Sequence, residues 1–155
     1  TIEEVIEKAR IQAKVTHDTP HGISAAVASA LMAHYFLYEI GEKADVGDWL
    51  NQHIDSDIDW AEPYRGKVKA KGWMSVRAAI TAVIGNDLLS ALLKDCIAFT
   101  GDVDRVASIA LACASPSKEY QNDLPQQLID TLENGQYGRD YLIELDRQLL
   151  LKVQN

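Results

Sequence analysis

Cysteine is scarce in this sequence: Cys96 and Cys113 are the only two among 155 residues. They form no CxxC pair and each falls inside an apolar helical pattern, which excludes a disulfide framework or a thiolate metal knuckle as the organising element. Two core thiols point to a reducing compartment, the cytoplasm. Sustained period-two alternation with β-branched residues is also missing, so a sheet is not the main architecture. The one stretch that approaches it, "YRGKVKAKGW", would put Arg65, Lys67, Lys69 and Lys71 on one side of an extended chain, and reads as an exposed connection. Repeats at solenoid spacing and low-complexity tracts are absent, as are GxSxG, P-loop, GxGxxG and HExxH signatures. Positive charge is short as well. Fifteen basic against twenty-three acidic residues give a formal charge of -8, which disfavours nucleic acid and anionic membranes as partners.

One long uncharged run is present. Ile23 to Tyr38, "ISAAVASALMAHYFLY", has no Lys, Arg, Asp or Glu. It is at the low edge of the roughly 17 to 25 residues a membrane span needs, is rich in Ala and Ser, and contains His34, so a buried central helix is the expectation. The chain opens at Thr1 with no signal-like segment, and the missing initiator Met suggests that something upstream has been removed or left out.

Helical patterns account for nearly all of the rest. Ile2, Val5, Ile6 and Ala9 recur at helical spacing in a segment Ile2 to Lys14, with acids early, where they suit the positive end of the helix dipole. Pro20 and Gly22 open the long apolar helix and Gly41 closes it. "DVGDWLNQHI" reads as a short helix capped by Asp45, and a further helix covers Trp73 to Ile84. Asp87 is placed to cap "LLSALLKDCIAF". Another helix follows "GDVDR" and runs to about Ala114. Asp123 and Pro125 signal a start that "ENG" ends, and "RDYLIELDRQLLLKV" supplies the last helix. The expectation is a single all-α domain of about eight helices over residues 1–155, a compact bundle with close packing at its many Ala and Ser residues.

Candidate chemistry rests on a few polar positions. Asp102 and Asp104 lie one residue apart at a loop-to-helix transition, where two carboxylates can converge on a hard cation such as Mg2+. Helix capping explains the same spacing, and both readings stand. His17, in "VTHDTPHG", is either a loop hydrogen-bonder or a ligand-binding group; pairing with His21 on zinc is opposed by Pro20 between them. Trp73 after Gly72 either stacks on a base or anchors its helix.

Taken in order, "THDTPHGISAAVASALMAHYFL", "KGWMSVRAAITAVI", "AFTGDVDRVASIALACAS" and "DLPQQLIDTLENG" resemble the C-terminal part of the ADP-ribosylglycohydrolase family, in its dinitrogenase-reductase-activating type. The resemblance covers most of the chain. It implies an all-α fold and hydrolysis of the bond joining ADP-ribose to a protein side chain or small acceptor, at a centre with two Mg2+ ions. It also implies metal ligation by Asp102 and Asp104 after Gly101, a ligand-pocket role for His17 beside Thr16, and a role for Gly72 and Trp73 in holding the adenine end. The sequence departs from the family pattern twice. Arg105 stands where the late motif has a threonine, and the early glutamate and threonine-aspartate-aspartate cluster are absent. Three readings follow: a hydrolase completed by a further segment or partner chain, a metal-free ADP-ribose-binding module without activity, and an interaction protein that keeps only the scaffold.

Overall fold

A computed structural model describes residues 1–153, with the side chains of residues 150, 152 and 153 left aside. The described residues contain eight α-helices, one short 3-10 turn at Lys43–Asp45 and no strand. The chain forms two compact units, Thr1–Asp123 and Leu124–Asn155.

In the first unit, α1 (Ile2–Lys14) starts with a capping box. The Thr1 hydroxyl accepts from the Glu4 N–H, and the Glu4 carboxylate reaches back to the terminal amine at 2.8 Å. Each tie satisfies a donor that the helix itself leaves unpaired. The second helix, α2 (Pro20–Leu37), begins at Pro20, whose missing N–H costs nothing in a first turn, and is capped by the Thr19 hydroxyl accepting from Gly22 N–H at 3.1 Å. Its uncharged run is the centre of the core: Leu31, Met32, Tyr35 and Phe36 are at most 2% exposed. No helix among the described residues is long and apolar enough to cross a membrane.

Helix α3 (Val46–His53) follows, then α4 (Gly72–Gly85), α5 (Leu89–Ala98) and α6 (Val103–Ala114). Helices α4 and α6 pack on α2, and α5 packs on both. Their buried faces carry Ala78, Ala79 and Ala82 on α4 and Ala110 and Ala114 on α6, small side chains that let backbones approach closely. Cys96 and Cys113 are buried and unpaired, and burial pushes their thiols up to about 11 and about 12.

The cap on α5 differs from expectation. Asp87 does not cap it; its carboxylate pairs with the Lys43 ammonium. The cap comes from Asp123, whose two carboxylate oxygens accept from the Ser90 N–H at 2.8 Å and the Ser90 hydroxyl at 2.6 Å. The Ser90 hydroxyl, then its backbone N–H, hold the Asp123 carboxyl below its ordinary pKa. A carboxyl whose pKa falls on folding stabilises the fold above the unfolded value and loses that effect as pH drops through the folded one. Asp123→Ala will therefore lower the melting temperature at pH 7, and its difference from the wild type will shrink as the pH falls through the folded-state pKa, a convergence that thermal melts followed by circular dichroism will read.

The second unit holds α7 (Gln126–Asp130) and α8 (Arg139–Val153). Asn134 ties down the start of α8, its side-chain oxygen accepting from the Asp140 N–H at 2.9 Å and its amide donating to the Asp140 carboxylate at 2.8 Å. Leu142, Ile143 and Leu149 on α8 are each more than half exposed.

Candidate functional site

Three helix faces enclose a cleft of about 290 Å3 in the first unit. From α2 come Gly22, Ala25, Ala26 and Ser29, at positions i, i+3, i+4 and i+7 of one face. Gly72 and Val76 on α4, and Arg105 and Ile109 on α6, are each an i, i+4 pair. His17, from the turn between α1 and α2, and Ala70, just before α4, complete the lining. The cleft exists because the four α2 positions and Gly72 carry hydrogen, methyl or hydroxymethyl groups where larger side chains would fill the gap.

His17 is positioned by its backbone and by Thr16. Its N–H donates to Ala13 carbonyl at 2.7 Å, its own carbonyl accepts from Thr19 N–H at 2.7 Å, and the imidazole Nδ1 lies 2.8 Å from Thr16 Oγ1. Gly22 permits this turn, since a Cβ there would stand 2.6 Å from the His17 carbonyl oxygen. His21 is engaged elsewhere, with Nε2 2.9 Å from Asp57 Oδ1.

The stretch "TGDVDR" is held by a distant segment. Thr100 and Gly101 both have left-handed backbone, φ 61° and 85°. Val68 pins them: its N–H donates to the Thr100 carbonyl and its carbonyl accepts from the Asp102 N–H, both at 3.1 Å. Asp102 stands at the N-cap position of α6 but makes no capping bond with its side chain. Instead Asp102 Oδ2 pairs with Arg105 Nη2 at 2.9 Å. The Asp104 carboxyl is held below its ordinary value, first by the backbone N–H of Arg105 and then by a hydrogen bond shared with Asp102. Neither aspartate lines the cleft, and Asp102 connects to it through Arg105.

Of the positions singled out in the sequence, His17, Gly72 and Arg105 thus meet in one cleft. Trp73 does not join them. It lines a separate, more polar hollow with Glu62, Tyr64, Arg65 and Arg77, and its ring lies 5.9 Å from the Arg77 guanidinium carbon. Arg77 is in turn fixed by the Glu62 carboxylate at 2.7 Å and the Glu62 carbonyl at 2.8 Å. The small-residue face of α2 was not singled out from sequence, although its i, i+3, i+4, i+7 spacing was there to read.

A sequence model of the ADP-ribosylglycohydrolase family matches residues 1–155, the whole chain. The chain belongs to this family. No curated protein and no solved structure gives a significant match.

The two Mg2+ ions that the family resemblance implies can be tested against the donors present. Asp102 and Asp104 offer two carboxylates, one of them already bound to a guanidinium. Among the described residues no group of three or more His, Cys, Asp or Glu side chains is placed to hold a metal ion. Octahedral Mg2+ pairs need more carboxylate than this, so the residues of this stretch of the glycohydrolase fold do not fit a two-metal centre.

Proposed function

We propose that the cleft between α2, α4 and α6 receives the ADP-ribosyl group of a substrate, and that the chain serves hydrolysis of the bond joining ADP-ribose to a protein side chain or small acceptor. The observation that carries this reading is the convergence of His17, Gly72 and Arg105, three positions 88 residues apart from first to last, on one cleft of a glycohydrolase-family domain. Within that cleft each residue has a distinct task. Thr16 engages Nδ1 of His17, so a ligand meets the other ring nitrogen. Gly72 lets the ligand lie against the start of α4. Arg105 supplies positive charge for a diphosphate. In this reading Trp73 anchors α4 through Arg77 rather than stacking on adenine.

The lining residues recognise but contain no carboxylate to activate water. Hydrolysis then draws its acidic groups from outside the cleft, with Asp102 and Asp104 the nearest in sequence to Arg105. A second reading, an ADP-ribose-binding module without hydrolysis, is favoured by the Asp102–Arg105 ion pair, which occupies one of those two carboxylates.

Calorimetric titration with ADP-ribose tests the shared ligand, and release of free ADP-ribose from an ADP-ribosylated protein separates the two readings. Saturable binding is expected. His17→Ala will weaken it about tenfold, the loss of one hydrogen bond of about 1.4 kcal/mol. Absence of binding by the wild-type chain would sink both readings.

A further inference from the structure

The α6 N-terminus carries two carboxylates one residue apart and a guanidinium in contact with the first of them. We propose that Arg105 is a built-in cation: its guanidinium takes, at Asp102, the place in which a divalent ion would sit, so that ligand binding in the adjoining cleft needs no metal. The second half of this statement rests on the ligand proposed above; the first does not.

Three observations support it. Asp102, although at the N-cap position, spends its side chain on Arg105 instead of on the backbone N–H groups of α6. The carboxylate end of the ion pair is partly withdrawn from water, the Asp102 side chain being 24% exposed against 47% for Arg105, so the carboxylate is screened less than on an open surface while the guanidinium stays in reach of solvent. Arg105 also lines the cleft, where it is the one permanently charged residue among those lining it. A guanidinium has five N–H donors, so bonding to Asp102 leaves others for an anionic ligand.

A metal ion competing for Asp102 meets two obstacles. It must displace a bonded guanidinium, and it must then reside near that charge, because Arg105 is tethered one turn away. At about 5 Å the repulsion between a dication and a single positive charge lowers affinity more than tenfold even at the dielectric constant of water. Asp104, the remaining carboxylate, cannot compensate alone.

Binding of Mn2+ alone, followed by electron paramagnetic resonance, provides the test. The wild-type chain is expected to show no stoichiometric site up to millimolar Mn2+. Arg105→Thr, with its fold checked by circular dichroism, will bind Mn2+ at least tenfold more tightly, and adding Asp102→Asn to it will abolish the gain. Arg105→Lys keeps the charge and will exclude Mn2+ as the wild type does. Titration with ADP-ribose completes the test: wild-type affinity will agree within twofold in EDTA and in Mg2+, whereas Arg105→Thr in EDTA will lose at least tenfold. Tight Mn2+ binding by the wild type, or equal Mn2+ affinity in Arg105→Thr and wild type, overturns the proposal. So does ADP-ribose binding that EDTA abolishes. If ADP-ribose binds under neither condition, the ligand reading fails, and the metal-independence built on it fails too, while the Mn2+ series still decides whether Arg105 replaces the ion.

Discussion

Gly101→Ala will lower the melting temperature by roughly 10 °C, the largest stability effect expected from one added methyl group anywhere in the α5–α6 connection. The position has φ 85°, and an ideal Cβ built there would lie 2.0 Å from the Val68 carbonyl oxygen. A contact that short cannot be relieved by a side chain turning away, because the neighbour is backbone. The chain must separate, breaking the two hydrogen bonds by which Val68 holds Thr100 and Asp102. Two hydrogen bonds at about 1 kcal/mol each, with left-handed strain of about 1 to 2 kcal/mol on alanine, give about 3 to 4 kcal/mol. Gly66→Ala is the control. Gly66 also has positive φ, at 91°, but a Cβ there would meet nothing within 4 Å, so only the strain applies and the cost is about 1 to 2 kcal/mol. Equal shifts for the two variants in thermal melts would show that the Val68 contact carries no weight.

The same connection explains what a sequence reading captures and what it cannot. "GDVDR" stands out by residue type, and the i, i+3 relation of Asp102 to Arg105 is a local fact that becomes an ion pair once α6 forms. The need for glycine at 101 is not local, since the oxygen that forbids a side chain belongs to Val68, 33 residues earlier. Caps divide in the same way. The start of α1 agrees with the sequence pattern because its capping box lies within four residues. The α5 cap eluded it because Asp123, 33 residues beyond Ser90, does what Asp87 is placed to do. Trp73 shows a third limit. It neighbours Gly72, but successive residues on a helix differ by about 100°, so the cleft that Gly72 lines and the hollow that Trp73 lines face different ways. The cleft itself was written as small residues at helical spacing, a pattern that close helix packing produces equally well. Only the three-dimensional arrangement shows that Ala26 and Ser29 border a space between α2, α4 and α6.

Gly72→Leu will weaken ADP-ribose binding at least a hundredfold while leaving the fold intact, because the space it fills is the proposed ligand's and not the core's. Gly72 lies at the first residue of α4 with its φ in the ordinary range, and a Cβ there would meet only the Ala25 methyl, at 3.4 Å. A methyl group is therefore accommodated, and neither alanine nor leucine at this first helical residue is opposed by helix propensity. Beyond the Cβ the two differ. Alanine adds little to the wall of the cleft, so Gly72→Ala should bind ADP-ribose within a few-fold of wild type. Leucine carries three further carbons into a cleft of only about 290 Å3, and a ligand that needs the same volume loses at least about 2.7 kcal/mol, which is a hundredfold. Calorimetry reads the affinity and a thermal melt shows that both variants remain folded. Wild-type affinity in a folded Gly72→Leu would place the ligand elsewhere. The hollow lined by Trp73, Arg65 and Arg77 is the alternative, and Trp73→Ala decides between the two: loss of binding there, with Gly72→Leu unaffected, would transfer recognition from the cleft to the other face of α4 and detach Arg105 from the ligand.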